Sequence, residues 1–169
     1  MLSGGYGRYE NWGLRAAVSH SGGNASSELT LDLGDGVTME MVFIKPGSFV
    51  MGGESTKDGR FECVEVPKHE VSITQGFYLG KYEVTQAQYE TIMGSNPSRS
   101  TKNPECPVDN VGAPDAVTFC GKLAEITGRD ARLPTEAEWE YASRGGQNSK
   151  WFFGNDPSKM DEFAWSKSN

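Results

Sequence analysis

The amino-acid sequence predicts an α+β fold in which much of the backbone is irregular. Strand patterns fill the chain before about residue 80 and helix patterns follow, so the two do not alternate as they do in a βαβ sheet. The 169 residues include 21 Gly, 4 Trp, 6 Tyr and 8 Phe. This excess of glycine and aromatic residues indicates irregular backbone wrapped around large side chains. The length suits one domain with a sizeable core.

The net charge of the chain argues against some classes of partner. Lys and Arg number 16 and Asp and Glu number 23, for a net charge of −7. Binding to nucleic acid or to an anionic membrane surface needs a basic patch, which this balance disfavours. No apolar run approaches the roughly 18 residues of a membrane span, and residues 1–17 lack the apolar segment of a secretory signal. The sequence therefore predicts a cytoplasmic protein without a nucleic-acid or membrane partner.

Five short strands are predicted from alternating apolar residues and from turn residues. The first is the alternation of leucines with polar residues over 29–33, which ends at the turn Asp35-Gly36. The pair Pro46-Gly47 suits a type II turn between the next two strands. The remaining predicted strands are 39–44, 48–51, 71–73 and 77–79.

Two helices are predicted in the middle of the chain. The first begins at the N-cap Thr85, which is spaced to form a capping box with Gln88, and it ends at Gly94. The second runs from about residue 114 to residue 127 with an apolar stripe at helical spacing. Cys120 falls on that stripe, so we expect it to be a buried core residue.

A third helix begins at Thr135 with a second capping box and ends before Gly145-Gly146. General acid–base catalysis by its carboxylates would need a raised carboxyl pKa in an apolar cleft. A structural role is the simpler interpretation, because carboxylates favour a helix N-terminus and nearby arginines can pair with them. The carboxylates are Glu136, Glu138 and Glu140, and the arginines are Arg132 and Arg144.

Residues 1–28 differ in composition from the rest of the chain. They are rich in Gly, Ser and Asn without a sustained period, which is typical of a linker. The sequence therefore predicts a linker or the tail of a preceding segment over 1–28, and a domain over 29–169. The tripeptide Asn24-Ala25-Ser26 matches an N-glycosylation acceptor, which is more simply a chance match in a linker.

Common catalytic and metal-binding motifs are missing from the sequence. Cys63, Cys106 and Cys120 are spaced too widely for a zinc knuckle, and His20 and His69 are too far apart for a zinc-binding helix motif. The glycine-rich segments lack the spacing of a phosphate loop, and no G-x-S-x-G nucleophile elbow occurs. His69 could serve a serine or cysteine nucleophile, but a structural role is simpler. These tests assign no catalytic, cofactor-binding or metal-binding residue.

Oxygen ligands that suit calcium occur in the last loop of the sequence. No EF-hand spacing is present there, so cation binding stays an open alternative to a solvated loop. The candidate ligands are Asn155, Asp156, Asp161 and Glu162.

The most specific segment is RLPTEAEWEYASRGG at 132–146. Further segments in chain order are MVFIKPGSFVMG at 41–52, PKHEVSI at 67–73, FYLGKYEVTQAQY at 77–89, PVDNV at 107–111, DAVTFC at 115–120 and FFGN at 152–155. Together they resemble the formylglycine-generating enzyme family, also called sulfatase-modifying factors, over roughly residues 29–169.

The resemblance implies a C-type-lectin-like fold that is incomplete at its C-terminus. Enzymes of this family use O2 and copper(I), held by two cysteines, to oxidise the cysteine of a Cys-x-Pro-x-Arg segment in a sulfatase to formylglycine. The family's cysteine pair and its calcium-associated segments have no counterpart before Asn169. No catalytic residue, copper ligand or calcium ligand is therefore carried over, and we expect the isolated chain to be inactive.

The resemblance also leaves a second function open, because relatives without the cysteine pair serve as ligand-binding or scaffold modules of the same fold. In either case, we expect four residues to hold the core and the loop after the third helix, with the Trp139 ring buried. They are Arg132, Glu138, Trp139 and Arg144. Residues 4–15 further resemble the closing stretch of a preceding family domain.

Overall fold

The computed structural model describes residues 13–52, 67–99, 103–146, 149, 154, 156–159 and 162. Their elements are, in chain order, β1 (Ala17–Ser19), β2 (Glu28–Gly34), β3 (Val37–Ile44), β4 (Gly47–Met51), β5 (His69–Ile73), β6 (Phe77–Gly80), α1 (Gln86–Met93), α2 (Ala113–Thr127), β7 (Ala131–Arg132), α3 (Glu136–Arg144) and a 3-10 turn (Pro157–Lys159). The predicted α+β class is confirmed. No helix in this described part is both long enough and apolar enough to cross a membrane.

The chain divides into two compact units. The first unit consists of Met1–Lys45 and Gln75–Pro134, and the second consists of Pro46–Thr74 and Thr135–Asn169.

The first unit is built on a five-stranded antiparallel sheet with the strand order β2-β3-β6-β1-β7. β2 and β3 form a hairpin around Asp35 and Gly36, whose φ angles are 51° and 77°. Two positive φ angles are what a type I′ turn requires, so the Asp-Gly pair suits this position. The predicted strands at 29–33, 39–44 and 77–79 are confirmed.

Helices α1 and α2 contact this sheet and each other, and the apolar core of the first unit lies among these elements. The Tyr89 ring stacks on the Phe119 ring with 5.5 Å between the ring centroids. Phe119 and Leu123 are completely buried, and Cys120 is only 3% exposed. The prediction of Cys120 as a core residue is therefore confirmed.

The predicted capping boxes are present at α1 and α3. The Thr85 hydroxyl accepts a hydrogen bond from the Gln88 amide at 3.2 Å, and the Gln88 side chain accepts one from the Thr85 amide at 3.0 Å. Thr135 and Glu138 form the same pair of bonds at 3.2 and 2.8 Å. These bonds satisfy amide groups that a helix N-terminus would otherwise leave unpaired.

The structure differs from the predicted linker at residues 13–28. Ala17–Ser19 forms β1, an interior strand that pairs with β6 on one side and with β7 on the other. The side chains of Ala16, Ala17 and Val18 are at most 1% exposed. A strand of three residues is too short to show a period, which is why composition alone indicated a linker. The predicted boundary at residue 28 thus falls inside the first unit, while residues 1–12 lie outside the described part.

The described elements of the second unit are the β4–β5 ribbon, α3 and the 3-10 turn. The ribbon pairs Gly47 with Ile73 at one end and Met51 with His69 at the other, so the predicted strands at 48–51 and 71–73 are confirmed. The Phe49 ring packs on the Tyr141 ring of α3 with 5.4 Å between centroids. Gly47 lies so close to the Tyr141 hydroxyl that a side chain at this position would overlap it.

The Trp139 side chain is 38% exposed, so the prediction of a buried ring is wrong. Glu138, the preceding residue on α3, is 9% exposed. Successive helix residues are rotated by about 100°, so burial of Glu138 turns Trp139 away from the buried face.

Candidate functional site

Two cysteines lie within the described residues, and both are free thiols. Cys120 is buried on α2, and this burial raises the pKa of its thiol from 9.0 to about 11. Cys106 is half-buried in the turn before Pro107, where its amide donates to the Asn103 carbonyl at 3.0 Å. Cys63 lies outside the described part of the chain.

This donor set does not fit the copper(I) ion that the family resemblance implies. Copper(I) binds soft thiolates, and a thiol with a pKa of about 11 stays protonated at neutral pH. Within the described ranges, no three His, Cys, Asp or Glu residues are grouped as metal ligands. We therefore assign no copper ligand among these residues.

The calcium candidates in the last loop are only partly within the described residues. The Asp156 carboxylate accepts hydrogen bonds from the Ser158 amide at 3.0 Å and from the Ser158 hydroxyl at 2.7 Å. These two bonds lower the pKa of Asp156 below its usual value. Glu162 is exposed, and Asn155 and Asp161 fall in the masked positions. Asp156 thus acts as a cap for the 3-10 turn, and no calcium ligand is assigned from what is described.

The two histidines occupy different units of the chain. The His20 ring makes edge contacts with the Phe43 and Tyr78 rings, with centroids 5.2 and 6.1 Å away. His69 is exposed at the start of β5, with 3.0 Å between its Nδ1 and the Pro67 carbonyl oxygen. These contacts agree with the structural interpretation of His69.

A polar cluster in the second unit, the Arg144 clamp, consists of Gly52, Glu140, Arg144 and Ser149. The Arg144 guanidinium donates to Glu140 Oε1 from Nε at 2.9 Å and from Nη2 at 2.5 Å. It also donates to the Gly52 carbonyl at 3.4 Å and to the Ser149 carbonyl at 3.2 Å. The Gly52 amide donates back to Glu140 Oε1 at 3.1 Å.

The clamp is well shielded from solvent, since the Arg144 and Glu140 side chains are only 18% and 17% exposed. One guanidinium joins the end of β4, helix α3 and the segment after α3, which requires the planar, multiply donating head group of arginine. The prediction that Arg144 pairs with a carboxylate of α3 and holds the following loop is confirmed.

The other predicted residues of this region have structural contacts. Arg132 donates from Nε to the Ser19 hydroxyl at 3.2 Å and from Nη1 to the Leu133 carbonyl at 3.1 Å. Glu136 and Glu138 lie in the first turn of α3, where carboxylates are stabilised by the helix dipole. These are the contacts of a scaffold, and none of them positions a reacting group.

The sequence analysis missed a buried polar network in the first unit. Gln86 is 1% exposed, and its side-chain oxygen accepts a hydrogen bond from the Asn96 amide group at 2.9 Å. Asn96 in turn accepts from the Ser98 amide at 3.0 Å, and the Ser98 hydroxyl accepts from the Asp109 amide at 3.1 Å. The signal was present as Asn96-Pro97-Ser98, a turn sequence in which an Asn side chain commonly bonds the backbone two residues ahead.

Sequence comparisons identify relatives of this chain. A "Chaperone protein LppX" from Paenibacillus barcinonensis is 32% identical over 162 residues, which cover 76% of this chain and 54% of the relative. A formylglycine-generating enzyme from Bos taurus is 28% identical over 167 residues, covering 67% of this chain and 41% of the enzyme. One from Mycobacterium tuberculosis is 52% identical over 48 residues, covering 28% of this chain and 14% of the enzyme. At best, the chain spans about half the length of these relatives.

Structure comparisons agree with the sequence relatives. Treponema denticola variable protein 1 superposes with a TM-score of 0.70 at 25% identity, covering 86% of this chain and 66% of that one. PvdO from Pseudomonas aeruginosa superposes with a TM-score of 0.65 at 26% identity, covering 80% and 58%. The predicted formylglycine-generating-enzyme type of fold is confirmed. The model of the "Sulfatase-modifying factor enzyme 1-like domain" matches residues 34–169, and the chain belongs to this family.

Proposed function

We propose that this chain provides the supporting framework of a formylglycine-generating domain, and that the whole protein oxidises a cysteine of a sulfatase polypeptide to formylglycine. The observation that carries the proposal is the similarity to formylglycine-generating enzymes from three organisms, which reaches 52% identity over 48 residues in one of them. The substrate class is a polypeptide with a Cys-x-Pro-x-Arg segment.

The framework role rests on what the described residues do. The Cys120 thiol is kept protonated within the core, and the Arg144 clamp holds chain segments together through backbone carbonyls. Copper(I) and calcium, which the family resemblance implies for a complete domain, would be held by residues outside those described. The contribution of this chain is then to fix the geometry of the segments that leave the clamp.

The proposal is tested by incubating the whole protein with a synthetic peptide that contains a Cys-x-Pro-x-Arg segment, in the presence of O2 and copper(I). We expect mass spectrometry to show conversion of the cysteine to an aldehyde, and a hydrazide probe to label the product. The matched control peptide carries alanine in place of the cysteine and should stay unlabelled. Full recovery of unmodified cysteine peptide from the metal-loaded protein would contradict the proposal.

A second candidate function is that of a non-catalytic binding or scaffold module. The observation that favours it is the 32% identity to a relative that is named a chaperone, over 76% of this chain. A module of this kind would bind an unmodified polypeptide and release it unchanged. Saturable binding of the same peptide in fluorescence anisotropy, without aldehyde formation, would support this function over the oxidase.

A further inference from the structure

Residues 13–19 fill an interior position of the first unit's sheet, which we call the strand slot, between β6 and β7. Ala17 pairs with Leu79 on one side and with Arg132 on the other. Without this strand, β6 and β7 would each lose the partner of a whole edge. The family match begins at residue 34, so the segment that completes the sheet lies before it.

The strand slot recognises features of this particular segment. The Arg15 guanidinium donates from Nη1 to the carbonyls of Gly80 and Lys81, both at 3.1 Å. At the other end, the Ser19 amide donates to the Asp130 carbonyl at 3.0 Å. Between these ends lie three small or β-branched residues that are at most 1% exposed, Ala16, Ala17 and Val18. The slot therefore fits an extended segment with Arg first, small residues in the middle and Ser last.

The connection from β1 to β2, residues 20–27, has the properties of a hinge. Residues 21–24 are exposed, and Gly22 and Gly23 have φ angles of 95° and 97° with no atom near the position of a side chain. Within the described residues, its contacts with the sheet include a hydrogen bond from the Tyr78 hydroxyl to the Ser26 carbonyl at 3.1 Å. Glycines of this kind can adopt other backbone angles at little cost.

We propose that the strand slot also accepts residues 13–19 of a second copy of this chain, so that two copies exchange their first strands reciprocally. The contacts of Arg15, Val18 and Ser19 would be the same in the exchanged dimer as in the monomer. Only the hinge conformation and the loss of translational freedom differ, which makes strand exchange a low-cost route to a dimer. The partner is a second copy because the slot matches the sequence of this segment.

The sheet geometry defines a variant that separates the two states. β1 and β2 are three strand positions apart, which corresponds to a lateral distance of about 14 Å. Deletion of residues 21–26 leaves only His20 and Ser27 between Ser19 and Glu28. Three steps between consecutive Cα atoms span at most about 11 Å. The shortened chain cannot reach its own slot, whereas a neighbouring copy can fill it.

The experiment measures the molar mass of the full chain carrying this deletion by light scattering after size exclusion. We expect a dimer whose far-ultraviolet circular dichroism matches that of the unaltered chain. The matched control replaces residues 21–26 with six Gly and Ser residues and should be a monomer, because it keeps the length. A monomer from the deletion variant at high micromolar concentration, folded or unfolded, would overturn the proposal.

Two further measurements keep the proposal testable if the deletion variant aggregates. The unaltered chain, refolded from denaturant, should give a dimer-to-monomer ratio that rises in proportion to protein concentration, and a ratio that stays at zero overturns the proposal. In the deletion variant, Val18→Asp should abolish the dimer, because it places a charge at a buried position of the slot. A dimer that persists with Val18→Asp would show a different interface and would also overturn it.

Discussion

The two units of the chain are held together in different ways. Every residue of the buried apolar cluster belongs to the first unit. In the second unit, the described contacts centre on one aromatic pair and on the Arg144 clamp, with its charged hydrogen bonds. The stability of the first unit therefore depends on shape and burial, and that of the second depends on hydrogen-bond geometry.

The largest expected effect is the loss of residues 1–28 from the first unit. Their removal deletes an interior strand of the sheet and three residues that are at most 1% exposed. Typical domains are stable by only roughly 5–15 kcal/mol, so we expect the truncated chain to be unfolded. Circular dichroism and thermal melting test this. A cooperative melt close to that of the full chain would restore the interpretation of these residues as a linker.

A second effect compares two large aromatic residues, one from each unit. Phe119→Ala is expected to lower the free energy of unfolding by about 3–5 kcal/mol, because the ring is fully buried and stacked on Tyr89. Trp139→Ala is expected to cost less than about 2 kcal/mol, because its side chain is 38% exposed. Denaturant titration measures both values. Equal losses would show that the exposure of Trp139 does not describe its energetic role.

A third effect distinguishes the apolar core by its response to pH. Burial raises the pKa of Cys120 from 9.0 to about 11, so the folded state holds the thiol proton after the unfolded state has released it. The resulting stabilisation is complete below about pH 9 and is lost as the pH rises to about 11, by about 2–3 kcal/mol.

The control for this pH dependence is Cys120→Ala. Burial and the Asp115 charge also raise the pKa of Tyr89 above 10.0, and this contribution stays in the variant. The difference between the two curves of unfolding free energy against pH therefore isolates the thiol. A difference that is constant from pH 8 to pH 11 would refute the assignment.

The smallest of these effects concerns the Arg144 clamp. Arg144→Ala removes charged hydrogen bonds to Glu140 and to two backbone carbonyls, and we expect a loss of about 1.5–3 kcal/mol in unfolding free energy. Arg144→Lys keeps the charge but cannot reproduce the planar set of donors, so it should recover only part of this loss. Full recovery by lysine would indicate that charge alone matters there.

Much of the fold was predictable because its signals are local. The capping boxes at Thr85 and Thr135, the Asp35-Gly36 turn and the stripe through Cys120 each lie within a few residues, and each agrees with the structure. Motif similarity over a longer range identified the family, because the segments follow one another in the same order.

The failures came from features that depend on distant parts of the chain. β1 is three residues long, and nothing near Ala17 in the sequence indicates that Leu79 and Arg132 will flank it. Trp139 was expected to be buried because large aromatic residues usually are, yet the rotation of α3 buries Glu138. The candidate site was predictable only as the pairing of Arg144 with a helix carboxylate, since its bonds to Gly52 and Ser149 involve the backbone.

The interior position of β1 sets the order of synthesis against the order of the sheet. The hydrogen bond between Arg132 and Ser19 joins residues that are 113 apart in the sequence. A ribosome adds roughly 5–20 residues per second, so the first strand waits on the order of 10 s for the last one to be made. During that time, an apolar strand is exposed on the nascent chain while its eventual neighbours do not yet exist. The first strand to be translated is thus among the last to be locked in place, and we expect slow closure of the first unit after translation.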